Sequence, residues 1–391
     1  MIEKIKNISL NIYNEIIQIR HHLHKHPELS FEEFDTSKSI QDFLTLHKIP
    51  FKTGIVKTGI IAEIKGKNPE QKEIVLRADI DALPIKEENN VDYCSVNKGV
   101  MHACGHDVHS SSLLGSAIIL NELKDDFNGT IKLIFQPGEE KLPGGAKLML
   151  EEGVFNNIPD SCIAQHVYPD LPAGKVGFKS GLYMASADEL HVKIIGKGGH
   201  AALPHKINDP ILMASQVINS LQQIVSRYNK PNNPAVLSFG YIQGNGATNV
   251  IPDTVELKGT FRTFDEKWRK LAHLKMKKIA ESICESAGGK CEFKIDVGYP
   301  FLYNDEKTTQ IAKKAAIEYL GKENVVDLDL RMTSEDFSYF SQVAPSCFYR
   351  LGTGDGKKIR NLHTSTFDID EKALLTSCGL MAYIAIKQLS Y

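Results

Sequence analysis

The chain has 391 residues, a formal net charge of -2 and 24% charged residues, and it exceeds the roughly 250 to 300 residues at which a single hydrophobic core stops growing, so two domains are expected. A near-neutral chain without a basic stripe is not built for nucleic acid, and no apolar run approaches the about 20 residues of a membrane span. A small-molecule substrate is therefore expected, with no nucleic acid and no membrane as partner. Seven cysteines at irregular positions (94, 104, 162, 284, 291, 347 and 378) make no disulfide framework. Only Cys104 stands among other ligand types, and the other six are expected as small buried apolar side chains.

In chain order, residues 1–7 carry acidic and polar groups where a signal peptide would place its apolar stretch, so a cytoplasmic location is expected. An N-terminal helix follows and stops at Pro27. Its cluster of His21, His22, His24 and His26 reads as the polar end of that helix rather than a metal tract. Short β-rich runs at 74–78, 131–136, 161–165 and 347–351 alternate with helical patterns at 107–123, 305–320 and 370–389. That rhythm predicts an α/β fold with a mostly parallel sheet. Asp79 and Asp81 follow the first run, Glu139 and Glu140 the second, and His166 the third. In such sheets ligands collect at the carboxyl ends of strands, so these residues should converge on one crevice. The strand order is not legible.

Between them, residues 189–195, 235–242, 255–262 and 291–297 read as strands, and 209–227 and 265–287 as helices. The order βαββαβ is that of a small α+β domain inserted into the first. The glycine-rich stretch 352–356 reads as a plain loop, and the earlier pattern resumes with the isolated His363.

The chemistry concentrates in residues 101–109, which pack Cys104 with His102, His106 and His109, and in residues 136–140, which end in the adjacent carboxylates Glu139 and Glu140. A divalent ion needs ligands held close together, and metal-assisted hydrolysis needs one carboxylate left over to deprotonate water. Two neighbouring glutamates can divide those tasks.

Six segments, 20–29, 77–84, 101–109, 136–140, 198–204 and 334–337, taken in order, resemble the amidohydrolase branch of the aminoacylase/carboxypeptidase family of two-metal peptidases, over nearly the whole chain. The resemblance implies hydrolysis of N-acyl amino acids such as hippurate or N-acetyl-diaminopimelate. It implies a catalytic domain over 1–184 and 299–391 and an inserted lid and dimerisation domain over 185–298, with a homodimer formed through the lid. It also implies five metal ligands: Cys104 bridging two ions, His106 and His166 completing one site, and Glu140 and His363 the other. Zinc or manganese suits that mixture, with cobalt or nickel as further options. Glu139 would be general base and acid acting on metal-bound water, Asp81 would orient a ligand, His200 would polarise the scissile carbonyl, and Asn249 and Arg262 would bind the substrate carboxylate. Glu335 and Asp336 are open between supporting the site and capping a helix.

Two departures stand out. Sister branches carry a ligand histidine where Asp79 stands, so His106 takes over that role and Asp79 need not touch metal. After the last histidine the family usually has a small residue and proline, whereas this chain has Thr364 and Ser365, which bears on the loop shape.

Three rival functions share part of this pattern. A dipeptidase or carboxypeptidase would use the same metals on a peptide bond. A cysteine hydrolase with Cys104 as nucleophile would leave Glu139 and Glu140 without a task. A non-catalytic binding protein would not require Glu139.

Overall fold

Alternation of apolar strands with amphipathic helices produces a mixed α/β architecture in the computed structural model, which describes residues 1–155, 157–357 and 360–391. The chain divides into two compact units. One comprises Met1–Tyr183, Tyr303–Leu330 and Asp336–Tyr391; the other comprises Met184–Leu302 and the strap Arg331–Glu335.

The first unit is built on an eight-stranded sheet. Its order is Phe51–Ile55, Gly59–Lys65, Thr130–Gln136, Glu73–Asp79, Ser161–Pro172, Ser346–Gly354, Val176–Phe178 and Val325–Asp327. The four central strands, Thr130–Gln136, Glu73–Asp79, Ser161–Pro172 and Ser346–Gly354, pair in parallel, and the edge strand Phe51–Ile55 and its neighbour Gly59–Lys65 run antiparallel. Parallel strands are covered on both faces, so they read as unbroken apolar runs, and Thr130–Gln136 is buried at every residue.

Two boundaries differ from the sequence expectation. The third run extends to Pro172, so His166 lies within a strand rather than after one, because Ser346–Gly354 pairs with it from Cys162 to Pro172. The same strand absorbs Gly352 and Gly354, which were expected in a loop. A Cβ on Gly352 would meet the Pro172 carbonyl oxygen at 2.2 Å, and one on Gly354 the Pro169 oxygen at 2.4 Å. Glycine there permits close backbone approach, not a turn.

Helices Ile2–Lys25, His106–Glu122 and Lys372–Ser390 pack against one another. Among the described residues Lys372–Ser390 alone is long and apolar enough to cross a membrane, against the expectation that no such run exists. It is a core helix, with Leu380, Ile384 and Ala385 fully buried. Of the N-terminal histidines at the end of helix Ile2–Lys25, only His24 departs from the expected polar helix end. His24 is buried, with Nδ1 on Asp107 at 2.9 Å and Nε2 on Glu87 at 3.1 Å, beside Arg20, which holds Asp107 and Asp368 at 2.8 Å each. A buried cation persists only when paired in this way.

The second unit carries a four-stranded antiparallel sheet in the order Ala235–Gln243, Thr254–Thr263, Asp188–Ile195, Lys290–Val297, with helices Pro210–Leu221 and Glu266–Ser286 against its apolar face. Asp209 and Asp265 accept backbone N–H groups of the first turns, which places them just outside the helices as N-caps worth about 1 kcal/mol each. The predicted helix 209–227 stops at Leu221 and is followed by a wider π-type turn, Ile224–Tyr228. Buried Met213, Val217, Leu221 and Ile224 keep one apolar period through both segments, so the pattern alone does not separate them.

Candidate metal centre

The residues 101–109 fold so that the side chains of Cys104 and His106 face one point. Met101 and Leu83 exchange both backbone hydrogen bonds at 3.0 Å, tying this segment to the end of strand Glu73–Asp79. Gly105 then turns with φ +80°, and a Cβ there would strike the Val167 side chain at 2.6 Å. Helix His106–Glu122 starts immediately after it. Cys104 and His106 are thus held on either side of a turn that only glycine fits.

Cys104 Sγ lies 3.4 Å from His166 Nε2 and 3.3 Å from His363 Nε2. Glu140 Oε1 lies 3.3 Å from His363 Nε2 and 3.9 Å from His106 Nε2. Donor atoms of Cys104, His106 and His166 form one group within 4.8 Å, and those of Cys104, Glu140 and His363 form another. The two triads share the sulfur. His106 Nε2 and Glu140 Oε1 are buried and have no hydrogen-bond partner, an arrangement that costs about 1 to 3 kcal/mol per group unless something fills the space between them. A thiol, three imidazoles and a carboxylate are ligands of borderline softness, and the set fits a pair of divalent cations.

Neighbouring groups decide which atom of each ligand faces inward. The His166 Nδ1–H donates to the Val167 carbonyl at 2.8 Å, and the His106 Nδ1–H to Asp81 at 3.1 Å, which leaves Nε2 of each ring as the acceptor. Asp81 also accepts the Ser30 hydroxyl at 2.7 Å and the Glu140 N–H at 2.9 Å, so one carboxylate orients one ligand and the backbone of another. His363 adopts φ +59°, an uncommon state for a residue with a Cβ, and its N–H donates to the Ala103 carbonyl at 2.8 Å. The segment after it is tied down by a Ser365 to Glu88 hydrogen bond at 2.6 Å, without the usual proline.

The centre is electronegative. Burial alone would lower the His106 pKa, but the Asp79 charge, the hydrogen bond and charge of Asp81, and Glu140 raise it to about 10. Burial pushes the Cys104 thiol well up, and Glu140, Glu139 and Asp79 push it further. The same negative charge that raises both groups favours cations in this space, which would bind with release of the protons.

Of the three imidazoles in residues 101–109, only His106 belongs to the two triads. His109 uses both nitrogens elsewhere: Nδ1–H donates to Asp79 at 2.6 Å, and Nε2 accepts the Val167 N–H at 3.0 Å. His102 is buried outside both triads.

Glu139 is 7% exposed beside the triads, and its Oε1 accepts the Asp336 N–H at 3.4 Å. Its loop is held from the other side by Glu33, which accepts the Gly138 N–H at 2.9 Å and the Phe31 N–H at 2.8 Å. Burial and the nearby Asp81 charge raise the Glu33 pKa to about 7. Beneath lies a network in which Arg77 and Gln136 had no role assigned from the sequence. Buried Arg77 donates to Asp79 at 2.6 Å, to Gln136 Oε1 at 2.8 Å and to Asp336 at 2.7 Å. The one signal for it was a charged residue inside an apolar strand.

In the second unit, His200 is exposed in a two-residue strand paired with Val250–Ile251, and the Ala201 N–H donates to the Asn249 carbonyl at 3.0 Å, so His200 and Asn249 are close neighbours. Arg262 is half-buried. Its guanidinium meets Thr260 Oγ1 at 3.2 Å, the Met332 carbonyl at 3.4 Å and Ser334 Oγ at 3.2 Å. No carboxylate among the described residues pairs with it.

A turn and helix start, a parallel strand and two loops that bring a shared thiol, three imidazoles and two adjacent carboxylates to one point have the donor set of a two-cation hydrolase. Residues 75–387 match Peptidase family M20/M25/M40. The chain belongs to this family and is a hydrolase of amide bonds. It is 44% identical over 361 residues to the N-acetyl-L-cysteine deacetylase of Bacillus subtilis, covering 92% of this chain and 85% of that one. It is 39% identical over 393 residues to thermostable carboxypeptidase 2 of Saccharolobus solfataricus, covering 99% and 98%. A solved Bacillus subtilis structure, a dinuclear metal binding peptidase from the M20 family, matches with a TM-score of 0.83 and 37% identity over 97% of this chain and 99% of that one.

Proposed function

We propose that this enzyme hydrolyses the amide bond of N-acyl amino acids at two divalent cations held by Cys104, His106, Glu140, His166 and His363. The observation that carries the reading is the pair of triads sharing the Cys104 sulfur, with orphaned His106 Nε2 and Glu140 Oε1, and a second buried carboxylate, Glu139, that lies within 4.8 Å of His106 and Glu140 but is needed by neither triad. When bound, the cations would polarise the amide carbonyl and acidify water.

The protein's own residues perform the proton transfers and the positioning. Glu139 takes the proton of the attacking water and returns it to the leaving amine, a role that needs a carboxylate near the cations but not consumed by them. Asp81 keeps His106 in the tautomer whose Nε2 faces inward. Arg262, a half-buried guanidinium with no carboxylate ion-paired to it among the described residues, suits the substrate carboxylate, with Asn249 adding a polar contact. His200 donates to the developing oxyanion. We take the second unit as a lid and dimerisation domain and zinc or manganese as the working metal, in a cytoplasmic enzyme.

Protein reconstituted with zinc, manganese, cobalt or nickel should hydrolyse N-acetyl amino acids and hippurate, lose activity to a chelator and regain it with metal. Turnover of dipeptides alone would move the reading to a carboxypeptidase, the name its Saccharolobus relative bears. Activity that survives complete chelation would overturn it in favour of a cysteine nucleophile.

If His200 serves the partner subunit's site, mixing inactive His200→Ala with inactive Glu139→Gln chains should restore activity, because hybrid dimers hold one site with both residues intact. Action within one chain predicts no rescue in dimers shown to be mixed.

A further inference from the structure

We propose that Asp336 is a positioning residue for the general base, setting the Glu139 carboxylate through its backbone N–H. The inference rests on the reading of Glu139 as the base. The N–H in question belongs to the Glu335–Asp336 peptide, where the chain passes from the strap of the second unit back into the first. On the strap side, the backbone is held within its own unit by the Ala185 N–H, which donates to the Arg331 and Thr333 carbonyls at 3.1 Å each, and by Arg262 on Met332 and Ser334.

On the other side the Asp336 side chain is fully buried and accepts from three separate groups. Arg77 Nη2 donates at 2.7 Å, Gln136 Nε2 reaches both oxygens at 2.9 and 2.8 Å, and the Ala146 N–H donates at 2.9 Å. Gln136 and Ala146 flank the loop that carries Glu139, and Arg77 links the same carboxylate to Asp79. A residue that only ended a strand or capped a helix would need one such bond. Three of them lock the position of one peptide N–H, and that N–H points at Glu139 Oε1 at 3.4 Å, a long bond whose strength depends on small displacements.

Asn at position 336 has nearly the shape of Asp but must turn an NH2 group toward a donor, since Arg77, Gln136 and Ala146 all donate to it. The backbone should shift by tenths of an ångström, and misplacements on this scale lower turnover without abolishing binding. Asp336→Asn should keep the wild-type metal content and a KM within about twofold, and lower kcat by roughly tenfold to a hundredfold. The effect should vanish in the double variant: with Glu139→Gln already present, Asp336→Asn should change kcat by less than about twofold, because the group it positions is gone. Losses that multiply in the double variant, an unchanged kcat in the single one, or loss of metal in step with activity would each overturn the proposal. If Asp336→Asn does not fold, Arg77→Lys, which keeps the charge but loses the three-way fork, should show the same non-additive loss. Near-normal turnover in Glu139→Gln alone would instead remove the reading on which the inference rests, and the two failures are therefore distinct.

Discussion

Glu139→Gln should keep its metal and its fold and lose at least about a hundredfold in turnover, the scale of general-base removal. The substitution is isosteric, and the amide oxygen can still accept the Asp336 N–H that the carboxylate accepts. Glu140, the adjacent residue, supplies the oxygen near His363 and His106, so the two triads that share the Cys104 sulfur stay complete without Glu139, although Glu139 also lies within 4.8 Å of His106 and Glu140. What is lost is the capacity to take a proton. Metal analysis, thermal unfolding and turnover on one preparation decide the matter. Near-normal turnover would refute the assignment, and loss of metal would place Glu139 among the ligands instead.

Cys104→Ala should cost at least one metal ion per chain, whereas Cys284→Ala should cost none. Both cysteines are buried, so burial does not distinguish them. Cys104 Sγ lies within 3.4 Å of two imidazole nitrogens and belongs to both triads, whereas Cys284 belongs to the apolar cluster of the second unit. Removing a donor common to two sites should weaken both. Cys104→Asp should recover part of the binding, because a carboxylate can also bridge two cations. Equal metal content in the two alanine variants, measured by elemental analysis, would exclude a shared thiolate.

Residues that announce themselves by local pattern were legible in the sequence alone. The helices that follow Asp209, Asp265 and Asp305 were recognisable from their helical pattern over consecutive turns, and each aspartate caps its first turn in the structure through its own side chain, an equally local interaction. The central strands were recognisable because burial on both faces demands unbroken apolar runs. The ligand types were recognisable because Cys104 and His106 lie two residues apart, and Glu139 and Glu140 are adjacent.

The resemblance names His106 and not His109 as a ligand, and the tertiary structure supplies the physical difference between them. Both stand on the first turn of one helix, three residues apart, and the choice falls to Asp79 and the Val167 N–H, which occupy both nitrogens of His109. It alone joined Asp336 to Arg77, 259 positions away in the chain, and showed Arg262 bonded to the strap with no carboxylate ion-paired to it among the described residues. It also moved His166 into a strand and turned Gly352 from a loop residue into a point of close backbone contact. The physical reason is the same in each case. Caps and periodicity are interactions between near neighbours and leave a mark in local sequence. The partner of a buried charge, or the atom that claims one face of an imidazole, is chosen by which segments the parallel sheet brings side by side, and that choice is written in no single segment.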